Sequence, residues 1–210
     1  MTHDTPRRGE AAPRLADALA IVRDAPPGPT VLMLDAKDAA PWSRETVEAL
    51  AALIGPVRER VFIGTPADWN LRRLRAVDPE VALTFDPQYY LDAKGSDSRL
   101  PGRDGAYGYH DAHPLAFRRT VAVDEYLRER VGSLIRLVPG IREFHVRMSL
   151  FEQMQDDGFD VIAVAHDAGV AVDLWTLDAR TPAWRERLDR ALDAGTDIVT
   201  TNTPRDLARA

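Results

Sequence analysis

Six short apolar runs, each ended by a polar or charged residue and separated by stretches of helical periodicity, constrain this chain more than any other feature. They are "TVLMLDAK", "RVFIGTP", "VALTFDP", "REFHVRM", "GVAVDLWT" and "DIVTTNTP". Short, nearly continuous apolar runs are what parallel strands require, because helices cover both faces of such a sheet. Between the runs the period changes to that of an amphipathic helix. "PRLADALAIVRD" places Leu15, Ala18, Leu19 and Val22 at i, i+3, i+4 and i+7, and "SRETVEALAALIG" repeats the stripe through Val47, Leu50, Ala51 and Ile54 with Gly55 as a stop. Regular alternation of this kind predicts an α/β fold with a parallel sheet, either doubly wound or closed as a β/α barrel. Both place their sites at the C-terminal ends of the strands.

Those ends carry Asp35 and Lys37, Thr65, Asp86, Arg147, Trp175 and Asn202, whereas the strand beginnings are mostly apolar. The asymmetry predicts a catalytic face. The last long helix is marked by Thr181 as its cap, Pro182 at its first position, Trp184, Leu188, Ala191 and Leu192 as its buried face, and Gly195 as its end. One segment breaks the rhythm. "DAKGSDSRLPGRDGAYGYHDAHPLAF", residues 92–117, reads as a long loop that either covers a pocket on the C-terminal face or is a mobile surface loop.

At 210 residues and 45% apolar, the chain can bury one substantial core, so a single domain over 1–210 is expected. The formal charge of −6 arises from 33 acidic and 27 basic residues, with no Lys/Arg run to track a phosphate backbone, which argues against a nucleic-acid partner. There is no cysteine, so any metal must take oxygen or nitrogen ligands. No apolar stretch has the length of a membrane span and the first residues hold no apolar signal core, so no stable membrane insertion and a cytoplasmic location are expected for the chain as it stands.

Several side chains are placed for chemistry, each with a plainer alternative. Asp35 and Lys37, two apart, point to one side of a strand; they suit a metal ligand and a cation on one phosphate, or a salt bridge at a strand end. His145 alternates with Glu143 and Arg147 on one strand face, lining a barrel lumen or forming a structural polar cluster. His110 and His113 are near enough to share a metal, although a solvated loop around Asp111 is the preferred reading. His166 reads as a helix-surface residue, Trp175 as a pocket wall or a core aromatic, and Asn202 as a cap of the turn before "TPRDLARA".

The segments "VLMLDAK", "GVAVDLWTLD" and "AGTDIVTTNTPRDL" together resemble the later strands of the glycerophosphodiester phosphodiesterase family. In that family one strand ends Glu-x-Lys, a late strand ends Trp-Thr, and the last reads roughly Gly-x-Asp-x-x-x-Thr-Asp-x-Pro. Here the matching positions are Asp35 and Lys37, Trp175 and Thr176, then Gly195, Asp197, Thr201, Asn202 and Pro204. The resemblance implies a TIM-type β/α barrel that hydrolyses glycerophosphodiesters or related lipid headgroup diesters with Mg²⁺ or Ca²⁺. It implies Asp35 as metal ligand, Lys37 as a catalytic cation and Trp175 as substrate-binding; Arg147 and His145 are expected to bind substrate from their place on the strand face. The family's His-Arg-Gly and Glu-x-Asp segments are not found, and "THD" is the one echo of its His-Asp pair, which makes His3 the acid/base candidate. With about six of eight strands, the expected barrel is incomplete at its N-terminus, with an open seam that a homodimer would cover. The alternative is an incomplete or catalytically inactive barrel serving as a binding or structural module. A third, an open α/β domain that binds a phosphorylated small molecule, has no Gly-rich phosphate loop behind it.

Overall fold

The computed structural model describes residues 13–91, 109–111, 113–118 and 120–209, and the chain forms two compact units, Met1–Thr84 and Phe85–Ala210. All six predicted strands form. In the first unit α1 (Leu15–Asp24) precedes β1 (Leu32–Asp35), α2 (Arg44–Ile54), β2 (Val61–Thr65), α3 (Asp68–Val77) and β3 (Ala82–Phe85), whose last residue opens the second unit. β1 and β2 pair in parallel from Leu32↔Val61 to Asp35↔Gly64. α2 starts where the Ser43 side chain accepts the Thr46 N–H at 3.1 Å, and buries Val47 and Ile54. α2 ends at Gly55 as expected, and the chain goes on into a tighter 3-10 segment, Gly55–Arg60.

The loop after β1 is held by one buried side chain. Asn70, in the first turns of α3, accepts the Trp42 N–H at 2.9 Å and donates to the carbonyls of Asp38 at 3.3 Å and Ala40 at 3.0 Å. A fully buried amide is stable only when its groups are paired in this way.

The second unit begins with a 3-10 turn, Pro87–Tyr89, and continues through α4 (Pro114–Arg118), α5 (Val123–Leu137), β4 (Glu143–Arg147), α6 (Met148–Asp156), α7 (Val161–Asp167), β5 (Ala171–Trp175), α8 (Trp184–Asp193), β6 (Ile198–Thr200) and α9 (Pro204–Leu207). β4 pairs with β5 and β5 with β6, both in parallel. Strand order follows chain order within each unit, β1-β2-β3 and β4-β5-β6. A doubly wound sheet would reverse its order at a switch point; consecutive strands laid side by side with a helix between each pair are the winding of a β/α barrel. The class of fold expected from the alternation is the one observed.

Four local expectations are corrected. α8 starts at Trp184 behind Ala183, which takes a left-handed conformation at φ 53°, so Thr181 and Pro182 lie ahead of the helix and cap nothing. Its face also differs: Leu188 and Ala191 are buried but Leu192 is 55% exposed, because Arg187 and Arg190 reach across to Glu152, Gln155 and Asp156 on α6 and set the helix's rotation. Gly195, at φ 84°, does end it.

Asn202 does not cap the final turn; its side chain donates to Asp178 at 3.0 Å, and its backbone N–H to the same carboxylate at 2.6 Å. Of the segment 92–117, residues 92–108 and 112 lie outside the described residues. Its remaining part is not a solvated loop. Asp111 is buried and accepts from the Tyr126 hydroxyl, from Arg130 Nε at 2.7 Å and from the His113 N–H at 2.8 Å, while α4 follows directly.

Among the described residues no helix is long and apolar enough to cross a membrane. Gly64 faces a tight space in β2, where an added Cβ would lie 2.2 Å from Thr84 Oγ1 and 2.3 Å from Met33 Cε. Met33 can swing aside but buried Thr84 cannot, so Gly64→Ala is expected to destabilise the protein by about 1–3 kcal/mol, read as a lower urea midpoint with an unchanged slope.

Candidate active site

Parallel register sorts the side chains of β4, β5 and β6 into rows. Glu143 stands opposite Ala171, His145 opposite Asp173, and Arg147 opposite Trp175; Asp173 in turn stands opposite Ile198 and Trp175 opposite Thr200. Side chains alternate between sheet faces. Phe144 and Val146 are therefore buried on one face of β4, while Glu143, His145 and Arg147 share the other and remain only half-buried. The trio expected on one strand face is there.

The middle of that face is a polar network. His145 Nε2 lies 2.9 Å from Glu143 Oε2, and its Nδ1 lies 3.9 Å from Asp173 Oδ2. Asp173 accepts from Thr200 Oγ1 at 2.7 Å and from the Thr200 N–H at 3.1 Å. Burial by itself pulls the His145 pKa down, yet the hydrogen bond that the ring donates to Glu143 and the charges of Asp173, Glu143 and Asp86 overcome it, and the pKa is raised above 6.5. Burial likewise raises Asp173 above 3.8, against the opposing charge of His145 and the Thr200 hydrogen bonds. Asp173 and Thr200 were not singled out from sequence; a lone acid inside the apolar run "GVAVDLW" is the signal that would have found the first.

At the C-terminal end of the same face, the Arg147 guanidinium stands 5.4 Å from the centre of the Trp175 ring. Trp175 Nε1 is buried and has no hydrogen-bond partner among the described residues. The peptide bond that follows, Trp175–Thr176, is cis. Beyond it Asp178 gathers Thr201 Oγ1 at 3.1 Å together with the two donors of Asn202, and these bonds hold its pKa below 3.8. Asp197, the acid of the last motif, receives the Val172 N–H at 2.7 Å and His166 Nε2 at 2.8 Å, so it ties β6 to its neighbours.

In the first unit Asp35 ends β1 and Lys37 follows it, with Nζ 2.6 Å from Asp35 Oδ2 and both side chains largely exposed. The two are brought together as expected. Among the described residues no three His, Asp or Glu side chains are grouped to hold a metal. The residues present thus do not make a complete cage for the expected ion, since one carboxylate already shared with a lysine is less than the usual complement of oxygen ligands. His3 lies outside the described residues. His113 accepts the Leu115 N–H and faces Glu129 at 3.8 Å, which gives it local partners rather than a site shared with His110.

The class that this geometry defines is a β/α barrel fold with polar residues collected at the C-terminal strand ends. Known structures agree with the fold. A protein from Galdieria sulphuraria assigned as a glycerophosphodiester phosphodiesterase superposes with a TM-score of 0.58 at 16% identity, over 96% of this chain and 65% of its own. One from Silicibacter pomeroyi assigned as a glycerophosphoryl diester phosphodiesterase gives 0.58 at 19%, over 94% and 55%. The glycerophosphodiester phosphodiesterase of Agrobacterium tumefaciens gives 0.53 at 14%, over 94% and 62%. The chain spans less than two thirds of the length of each. No protein-family model matches the sequence and no curated protein does. The family resemblance read from the strand-end motifs is therefore matched by a resemblance in fold.

A raised histidine pKa means that protonation favours the folded state. The stability contributed by His145 is complete below its ordinary value of 6.5 and is lost as pH rises through the raised one. Urea midpoints of the wild-type protein should fall as pH increases above about 6.5, and His145→Gln should flatten that dependence; an unchanged slope would show that His145 does not carry it.

Proposed function

We propose that this chain is a phosphodiester hydrolase of the glycerophosphodiester phosphodiesterase type, acting on glycerophosphodiesters or related lipid headgroup diesters. The observation that carries the reading is the pairing of Arg147 with Trp175 at the ends of adjacent strands, where a cation and an unpartnered indole N–H stand beside each other. A phosphodiester offers an acceptor to the indole N–H and negative oxygens of the kind that a guanidinium binds. The Trp175 ring would wall the headgroup, and a choline would add a cation–π contact. The fold shared with phosphodiesterases supports the same reading.

Cleavage requires charge neutralisation on the non-bridging oxygens and proton transfer at the attacking and leaving oxygens. In this proposal Arg147 and His145 of the second unit take part in substrate binding; the roles of Lys37 as a catalytic cation and of Asp35 as the carboxylate offered to a divalent cation, Mg²⁺ or Ca²⁺, come from the family resemblance. His3 stays a candidate acid/base from the family resemblance alone.

One observation favours a second reading, an inactive barrel that binds without hydrolysis: among the described residues no group of three metal-ligating side chains exists, and Lys37 already neutralises Asp35. Hydrolysis of glycerophosphocholine and of an aryl phosphodiester, with Mg²⁺ or Ca²⁺ and with a chelator, separates the two. The hydrolase reading expects turnover that the chelator removes and that Asp35→Ala lowers by about 10- to 100-fold. Folded protein without turnover, but retaining glycerophosphocholine in equilibrium dialysis, would favour the second. A homodimer belongs to the same proposal, because β6 has β5 as its one strand neighbour among the described residues and an unpaired edge invites cover. Light scattering should then give twice the chain mass, and a monomer at all concentrations would remove the dimer.

A further inference from the structure

We propose that His145 is the proton donor to the leaving alcohol and that Glu143 holds the imidazole for that task; the assignment rests on the hydrolase reading above. The two ring nitrogens are not equivalent. Nε2 is engaged by Glu143 at 2.9 Å, while Nδ1 stands 3.9 Å from Asp173, beyond hydrogen-bond distance, and is left to meet a substrate oxygen. An imidazole fixed through one nitrogen by a carboxylate, with the other presented to the reaction, is the arrangement in which histidine acts as an acid.

Its place on the sheet fits that role. His145 lies two residues before Arg147 on the same face of β4. Residues so spaced are about 7 Å apart along a strand, so an anion held at Arg147 lies one step from the imidazole. Among the described residues the charged groups beside His145 are Glu143 on its own strand, Asp173 on β5 and Asp86 after β3, with Arg147 two residues on along the same face. Burial of the ring, whose side chain is 13% exposed, works against its protonation, and Glu143, Asp173 and Asp86 outweigh that and raise its pKa. Neither Arg147 nor Trp175 can deliver a proton in neutral solution, and no other histidine lies on this face of the described strands.

In the step assigned to His145, water attacks phosphorus and the bond from phosphorus to the leaving oxygen breaks. The departing oxygen takes the Nδ1 proton, so the product leaves as a neutral alcohol. The proton shed by the attacking water passes to solvent, from which the imidazole is recharged. One diester and one water thus become one monoester and one alcohol. An alkyl alcohol needs this help, whereas a nitrophenolate leaves without it.

The test compares glycerophosphocholine with bis(4-nitrophenyl) phosphate across pH, using the full chain. His145→Gln should lower kcat/KM on the alkyl diester by roughly 10²- to 10⁴-fold, change the aryl diester by less than about tenfold, and remove the alkaline limb of the alkyl profile. Glu143→Gln keeps the side-chain volume and should move that limb to lower pH, which a purely structural role would not do. If His145→Gln fails to fold, the limb in Glu143→Gln decides alone. Equal losses on both substrates, or an unmoved limb in Glu143→Gln, would overturn the role of His145 and leave the hydrolase reading standing. A wild-type protein inactive on both diesters would overturn both.

Discussion

Parallel pairing is the constraint on which the site depends. Once β4, β5 and β6 run side by side in one direction, every C-terminal strand end falls on one edge and every second residue on one face. A shift of a single residue would exchange the faces: Phe144 and Val146 would meet solvent, while Glu143 and His145 would be driven among apolar side chains. Burial of Phe144, Val146, Val172 and Leu174 therefore sets the register, and with it the position of polar residues that contribute little to the core themselves. At about 25 cal/mol per Å² of apolar surface, four such side chains outweigh the cost of one well-satisfied polar row.

That polar row is tolerated because its charges answer one another. A buried carboxylate such as Asp173 is costly alone, and here a hydroxyl and an N–H from Thr200 and the nearby imidazole of His145 offset the lost hydration. The Arg147–Trp175 pair at the rim differs, since it retains an unanswered indole N–H. Polar groups lower on the strands are satisfied, and the one at their ends, the Trp175 indole N–H, has no partner among the described residues.

Much of this was legible in the chain. All six apolar runs became strands, and Asp35, Thr65, Arg147 and Trp175 are strand-terminal residues as the pattern indicated. The misses share a cause. Asn202, Thr181, Pro182 and Leu192 were assigned by local rules for caps and helix faces, and each was overridden by a partner distant in sequence: Asp178 for Asn202, and α6 for α8 through Arg187 and Arg190. Asp111 was read as solvated because its neighbours are polar and rich in turn formers. Tyr126 and Arg130, one and two turns into α5, draw it inside.

The sequence by itself determined the kind of element at each position and the order of elements, because hydrophobic period and strand-end polarity are properties of neighbouring residues. It also determined that a cation, an aromatic and a histidine would stand near strand ends. Only the tertiary structure decided that His145 meets Asp173, that Arg147 lies over Trp175, and that Thr200 completes the row. Those meetings join residues separated by 25 or more positions, and their distances follow from the register of paired strands, which no local periodicity specifies.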